Sequence, residues 1–200
     1  MRRSLVVLVA TLALTALHAP ARAIPRPDLI AGMGGSFATT GTPDGGGLSS
    51  SLSVLWPVGE RAGFGLRVFA DDTGTLEGRL TDPNDGTDLG SVAVSHRWSY
   101  GAAWRGDVTL YDRDRWDSGL TGDFGYWRIE DDVRGRLTRA SSAVGFALGG
   151  KLTRLVGTGN TAGLVLRYHR LFTDRDAAPS LVDRYATVAF EWCWLAKDRR

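Results

Sequence analysis

The chain has 200 residues, the size of one compact domain. Its 24 basic and 22 acidic side chains leave a formal net charge of +2, so charge gives no indication of nucleic-acid binding. The single cysteine, Cys193, excludes an internal disulfide framework and a cysteine-cluster metal site, while the 26 glycines are roughly twice the usual share of about 7 %.

The N-terminal residues have the features of a secretory signal peptide. Two arginines precede an apolar run over residues 5–17, and a small-x-small cleavage pattern ends at Ala23. We therefore expect residues 1–23 to be removed on export. Residues 24–200 are then expected to form a single domain outside the cytoplasm.

Eight segments follow in which apolar residues alternate with small or polar ones. This period of two is typical of a β-strand whose two faces meet different surroundings. The segments are residues 29–37, 48–56, 62–71, 101–110, 116–126, 144–152, 162–169 and 186–194. The sequence therefore predicts an all-β fold.

The connections between these segments alternate in length. Three tight turns are centred on residues 57–60, 112–115 and 157–160. The longer connections lie near residues 39–47, 72–99, 131–141 and 173–184. Short turns at one end and long loops at the other are typical of barrels that span the bacterial outer membrane. An even number of strands also brings both termini to the short-turn end, which argues against a ninth strand.

The second long connection continues the alternation. A turn at residues 82–86 would let residues 72–81 pair with residues 89–99 in a hairpin that projects beyond the membrane, since about 9–11 residues already suffice for a tilted spanning strand. A short helix over residues 88–98 is the alternative. The sequence leaves both open.

The composition of the two strand faces indicates which one points outwards. The face opposite the apolar one is rich in Gly, Ala and Ser, which suit the narrow interior of an eight-stranded barrel. Aromatic residues fall at both ends of the apolar face, as in the girdles at the two bilayer interfaces. They are Trp56, Trp116, Trp192 and Trp194 at the short-turn end, and Tyr100, Tyr126 and Tyr168 towards the long loops. We expect the apolar face to contact lipid; a soluble periplasmic lipid-binding barrel, with that face inside, is an alternative.

In this architecture residues 28–195 resemble the small eight-stranded outer-membrane barrels of Gram-negative bacteria, the OmpA/OmpX-like superfamily. The resemblance implies an eight-stranded antiparallel up-and-down transmembrane β-barrel with short periplasmic turns and longer extracellular loops. It also implies outer-membrane lipids, lipopolysaccharide and the barrel-insertion machinery as partners. The chain departs from the family pattern at residues 196–200, which follow the position where such barrels end on an aromatic residue.

Isolated charges on the inner face form the largest group of candidate functional residues. They are Arg67, Arg105, Asp107, Asp117, Asp123, Lys151, Arg167 and Glu191. Buried charges are costly unless paired, and these acidic and basic groups balance, so we expect ion pairs that fill the lumen. This favours a structural or surface-interaction role in the cell envelope. A narrow pore for ions or small solutes, lined by the same residues, is the alternative.

The sequence shows no recognisable catalytic or metal site. Lipid A deacylases carry a His-x-Ser motif, but Leu171 stands where His169 would require the nucleophilic serine. Residues 82–88 resemble a calcium loop, yet lack an oxygen ligand at the fifth position and the bidentate glutamate. We predict no catalysis, no cofactor and no metal. Any surface ligand is expected to bind the loops at residues 72–99 and 173–184.

Overall fold

The computed structural model describes residues 26–39, 42–44, 46–81, 88–94, 96–133, 136–157, 159–172 and 184–194. No helix that is long and apolar enough to cross a membrane occurs in these ranges. The predicted signal peptide, the turn at residues 82–86, all but residue 184 of the loop at 173–184 and the residues after Trp194 lie outside them.

The described residues form eleven β-strands. The first six are β1 (Asp28–Ala38), β2 (Thr42–Asp44), β3 (Gly47–Val58), β4 (Ala62–Asp72), β5 (Thr75–Thr81) and β6 (Asp88–Val94). The other five are β7 (His96–Arg113), β8 (Trp116–Val133), β9 (Arg136–Val156), β10 (Asn160–Phe172) and β11 (Arg184–Trp194).

Eight of these strands close into one antiparallel barrel. Their order around it is β1-β11-β10-β9-β8-β7-β4-β3, and β3 pairs back to β1. Each of the eight alternating segments of the sequence corresponds to one barrel strand. The predicted eight-stranded antiparallel fold is therefore confirmed.

Tight turns join the strands at one end of the barrel, called here the short-turn end. Residues 59–61 link β3 to β4, residues 114–115 link β7 to β8, and residues 157–159 link β9 to β10. Gly59 and Gly157 have φ angles of 73° and 68°, a left-handed conformation that glycine adopts at no steric cost.

At the opposite, long-loop end, strand pairing extends further than the sequence predicted. The prediction of a long connection at residues 131–141 is wrong, because β8 and β9 continue to the pair Val133↔Arg136. The acidic run at residues 130–132 ends the apolar alternation and so suggested a loop. Backbone pairing does not require apolar side chains, and the ladder continues past that point with a register shift.

A second, three-stranded sheet with the order β2-β5-β6 is formed by residues from the first two long connections. Its β5–β6 hairpin pairs Leu76 with Val94 and Thr81 with Asp88, so strands occupy the region where a helix over residues 88–98 was the alternative. Residues 96–99 belong instead to barrel strand β7. Strand β2 was not predicted.

The two faces of the barrel strands are chemically distinct. Large apolar side chains point outwards, and Met33, Leu48 and Leu148 are 70 %, 71 % and 62 % exposed. Small and charged side chains point inwards, together with a group of large rings that includes Phe69, Trp127 and Tyr185. A Cβ on the inward-facing Gly65 would overlap the carbonyl oxygen of Val54, so this approach of β3 to β4 requires glycine.

Candidate functional site: the barrel lumen

The inward-facing side chains form two layers above a cavity. The central charge layer contains Arg67, Arg105, Asp107, Asp123, Lys151, Arg167 and Glu191. The aromatic layer, towards the long-loop end, contains Phe69, Asp71, Trp127, His169 and Tyr185. The cavity lies towards the short-turn end and is called here the short-turn cavity.

Arg105 of β7 is the centre of the charge layer and is fully buried. Its Nε and Nη2 donate to the two carboxylate oxygens of Asp107, both at 2.9 Å. Its Nη1 and Nη2 donate to Oε1 and Oε2 of Glu191 at 3.0 and 2.8 Å, and Nη1 also reaches Ser53 Oγ at 3.2 Å. Such fork-shaped contacts between guanidinium and carboxylate fix geometry as well as charge.

Two further arginines extend the layer. Arg67 Nη1 donates to Asp123 Oδ2 at 3.0 Å, and Arg167 Nε lies 3.4 Å from the same oxygen. Arg167 Nη2 donates to Glu191 Oε1 at 2.7 Å. Asp123 and Glu191 are therefore each shared by two arginines, which joins strands β4, β8, β10, β11 and β7 through side chains.

Lys151 ends this series of ion pairs on the cavity side. Its Nζ donates to Asp107 Oδ2 at 3.1 Å, and Thr121 Oγ1 donates to Asp107 Oδ1 at 2.8 Å. Seven of the eight charged residues that the sequence singled out thus lie in one continuous series of ion pairs. The eighth, Asp117, forms no ion pair among the described residues and is the register partner of Asp112 on β7.

The aromatic layer was not predicted. The ring of His169 stacks on the ring of Tyr185 with centroids 4.1 Å apart and planes 9° apart. Trp127 Nε1 donates to the Tyr185 hydroxyl at 3.0 Å, and that hydroxyl donates to Asp71 Oδ2 at 2.8 Å. Ser49 Oγ donates to Asp71 Oδ1 at 2.6 Å, so two hydroxyl groups satisfy this carboxylate.

Apolar contacts link the two layers and pack the long-loop end of the lumen. The Arg67 guanidinium lies 4.9 Å from the Phe69 ring centroid, within the range of a cation–π contact. Phe69 in turn packs against Trp127 with centroids 5.1 Å apart. Buried Ile129 and Leu171 belong to the same apolar cluster.

The short-turn cavity has a volume of about 400 Å³. Its acidic lining residues are Asp28, Glu60, Asp107, Asp112, Asp114, Asp117 and Glu191, and its basic ones are Arg61, Arg105, Arg115 and Lys151. Apolar side chains, among them Ile30, Leu55 and Leu155, also line it. Cys193 also lies in this wall.

A β-bulge in β7 accounts for a lining residue that the sequence analysis missed. The register between β7 and β8 shifts between Thr109 and Tyr111, so Leu110 and Tyr111 both point outwards at 59 % and 54 % exposure. Beyond the shift, Asp112 is the register partner of Asp117. The strict alternation had placed Asp112 in a turn.

The predicted girdle residues lie on the outer face, with the four tryptophans at the short-turn end and the three tyrosines in the half of the barrel towards the long loops. Trp116, Trp194, Tyr126 and Tyr168 are exposed, whereas Trp56, Trp192 and Tyr100 are half-buried. Arg154 stacks its guanidinium 5.5 Å from the Trp116 ring centroid, and the Tyr100 hydroxyl donates to Glu130 at 2.6 Å.

His169, the histidine that the sequence analysis considered as a catalytic base, lies inside the aromatic layer. Within the described ranges no three His, Cys, Asp or Glu side chains converge as metal ligands. His169 is fully buried, and its Nε2 lies 3.2 Å from Thr187 Oγ1. Both groups are enclosed in the aromatic layer, away from the outer face.

Comparison with known proteins identifies the fold. No protein-family model and no curated protein matches the sequence. The chain is similar to Neisserial surface protein A, with a TM-score of 0.59 and 10 % identity over 84 % of this chain and 96 % of that one. It is also similar to Ail, the attachment invasion locus protein of Yersinia pestis, with a TM-score of 0.46 and 9 % identity over 84 % and 97 % of the two chains. The chain thus has the fold of the small eight-stranded outer-membrane barrels, as the sequence predicted.

Proposed function

We propose that the protein is an integral outer-membrane β-barrel whose lumen is filled by paired charges, with a structural or surface-interaction role in the cell envelope. The observation that supports this best is the continuous series of ion pairs from Arg67 to Lys151 in the central charge layer. In this proposal the barrel neither transports solutes nor catalyses a reaction.

The outer face supports the membrane location. Exposed leucines and aromatic side chains form a continuous apolar surface, which is unfavourable in water at this size and favourable in lipid. With aromatic residues at both ends of this surface, the short turns face the periplasm and the long connections face the cell exterior. An N-terminal signal peptide at residues 1–23 would supply the export step.

The central charge layer argues against the alternative of a pore. Arg105 and Glu191 lie on β7 and β11, which are separated by three strands in either direction around the barrel. Their contact therefore crosses the lumen. An ion moving along the barrel axis would have to separate buried ion pairs, and removing one partner of such a pair costs about 3–5 kcal/mol.

The same layer argues against a soluble carrier of lipids. A carrier needs an apolar interior that fits its ligand. Here the middle of the interior holds three fully buried arginines, and most of the large apolar side chains point outwards. The distribution of side chains is therefore the reverse of what a lipid-binding soluble barrel requires.

Interactions with other molecules are assigned to the surfaces that face lipid and the cell exterior. The partners in this proposal are outer-membrane lipids and lipopolysaccharide, and the barrel-insertion machinery during assembly. Any surface ligand would bind the connections at residues 72–99 and 173–184. Strands β5 and β6, within the first of these, form part of a sheet separate from the barrel, which would hold such a surface away from the membrane.

Membrane fractionation combined with SDS-gel mobility tests the proposal. We expect the protein in the outer-membrane fraction, with different mobilities before and after boiling because a closed barrel in lipid resists SDS until it is heated. A single mobility together with recovery in the soluble periplasmic fraction would contradict the membrane location. It would instead favour the soluble-carrier alternative.

A further inference from the structure

The short-turn cavity has the dimensions of a ligand site. Its volume of about 400 Å³ lies within the range of small-molecule pockets, about 300–1,000 Å³. Ion-paired Arg105, Asp107 and Glu191 form its inner end, and turn residues such as Glu60 and Arg115 line its mouth. If the barrel is oriented as in the proposed function, on which this inference rests, the cavity opens to the periplasm.

The wall of the cavity carries an excess of negative charge. Seven of its side chains are acidic and four are basic. Two of the basic groups are already engaged, because Arg105 binds Asp107 and Glu191, and Lys151 binds Asp107. Within the described part of the chain, Asp112 and Asp117 form no ion pair of 4 Å or less, and the positive charge that acts on Asp117 is that of Lys151, which is already bound to Asp107.

The two unpaired carboxyl groups face each other. Asp112 and Asp117 are cross-strand register partners, and both side chains line the cavity. Like charges placed directly opposite each other on neighbouring strands are destabilising. The β-bulge between Thr109 and Tyr111 produces this juxtaposition, and bulges commonly re-aim side chains at binding sites.

The negative charge of the cavity favours a cation as the ligand, and the other lining residues indicate which class of cation fits. Apolar side chains, among them Leu55 and Leu155, line the cavity together with the charged groups. A metal ion needs several converging ligands, and the described residues provide no such group of three. An organic cation with ammonium groups separated by methylene chains matches both the carboxylates and the apolar surface.

We propose that the short-turn cavity binds a linear aliphatic polyamine from the periplasm. One ammonium group lies between Asp112 and Asp117 and relieves their repulsion. The alkyl chain lies against Leu55 and Leu155, and the bound molecule does not pass the central charge layer. The cavity is thus a binding site closed at its inner end.

Titration calorimetry with spermidine on the folded protein in detergent micelles tests this proposal. We expect saturable 1:1 binding that Asp112→Asn weakens by about tenfold or more, because one charge-assisted hydrogen bond is lost. The matched control is Glu130→Gln, which removes a carboxylate at the long-loop end and should leave binding unchanged. The double variant Asp112→Asn/Asp117→Asn should lose binding, yet unfold at a higher urea concentration than the unliganded wild type.

Three results would overturn the inference. The first is the absence of spermidine binding to the wild-type protein, and the second is equal binding by Asp112→Asn and the wild type. The third is binding that appears only after residues 196–200 are removed, because this result would mean that the basic C-terminal segment occupies the cavity. SDS-gel mobility of the same samples separates these results from failure of the proposed function. A heat-modifiable barrel without spermidine binding contradicts only the polyamine site.

Discussion

Arg105 and Glu191 are joined by two hydrogen bonds, of 3.0 and 2.8 Å, that cross the barrel from β7 to β11. No backbone pairing connects these two strands, because three other strands separate them on each side. The contact therefore fixes the cross-section of the barrel in a direction that the backbone hydrogen bonds do not. It also places a guanidinium group in the middle of the lumen.

We predict that Arg105→Met destabilises the folded barrel by about 3–5 kcal/mol, because Asp107 and Glu191 lose a buried partner. The measurement is the urea midpoint of unfolding in lipid vesicles. The matched control is Arg113→Met, which removes an arginine from an exposed 3.9 Å pair with Asp114 and should change the midpoint little. Equal effects of the two substitutions would contradict the central role of Arg105.

The hydroxyl of Tyr185 provides a second test of the lumen. Tyr185→Phe removes the acceptor of Trp127 Nε1 and a donor to Asp71, so we expect a loss of about 1–3 kcal/mol in unfolding free energy. Tyr126→Phe removes the same hydroxyl from the outer face, where the side chain is 52 % exposed, and serves as the control. If the two variants unfold at the same urea concentration, the aromatic layer does not contribute as described.

Replacement of glycine by alanine is expected to have opposite effects on folding on the inner and outer faces of the barrel strands. Gly65→Ala places a methyl group against the backbone of β3 and should lower the yield of folded barrel. Gly106→Ala, for which no atom lies within 4 Å, should fold normally or gain up to about 1 kcal/mol. The folded fraction on an unboiled gel measures both. Normal folding of Gly65→Ala would mean that β3 and β4 do not approach as closely as described.

If the outer face contacts lipid, the free energy of unfolding lost on placing an arginine there depends on the depth of that position in the bilayer. Leu148 lies near the middle of the barrel part of β9, and Leu148→Arg should cost about 2–4 kcal/mol in a bilayer. Val156→Arg, at the end of the same strand, should cost about 0–1 kcal/mol. Unfolding in vesicles compares the two. The reverse order, or no difference, would contradict the assignment of this face to lipid.

The sequence predicted the barrel and the direction of its side chains because strand alternation is a local property. A period of two assigns each residue to a face before any contact is known. It cannot say which inward residues meet across the lumen, because that depends on the register of strands that are not neighbours. Thus Arg105 was placed inside from the sequence, but its pairing with Glu191 required the closed barrel.

Two local features of the fold explain why the sequence analysis missed the inward positions of Asp112 and Tyr185. The bulge near Thr109 reverses the alternation and turns Asp112 towards Asp117, which a strict period of two cannot anticipate. Tyr185, the partner of Asp71, lies just before the last alternating segment and follows residues that carry no alternation signal. The inward alternation of β11 could have been extended back by one position, to Tyr185, and would have found it.

The central claim is that paired charges close the lumen to ions. Conductance of the folded protein in planar lipid bilayers measures this property directly. We expect no current steps above those of the protein-free bilayer. We also expect steps to appear in Arg105→Ala, where the cross-lumen contact with Glu191 is absent. Regular, ohmic current steps in the wild-type protein would contradict the claim and favour the narrow pore.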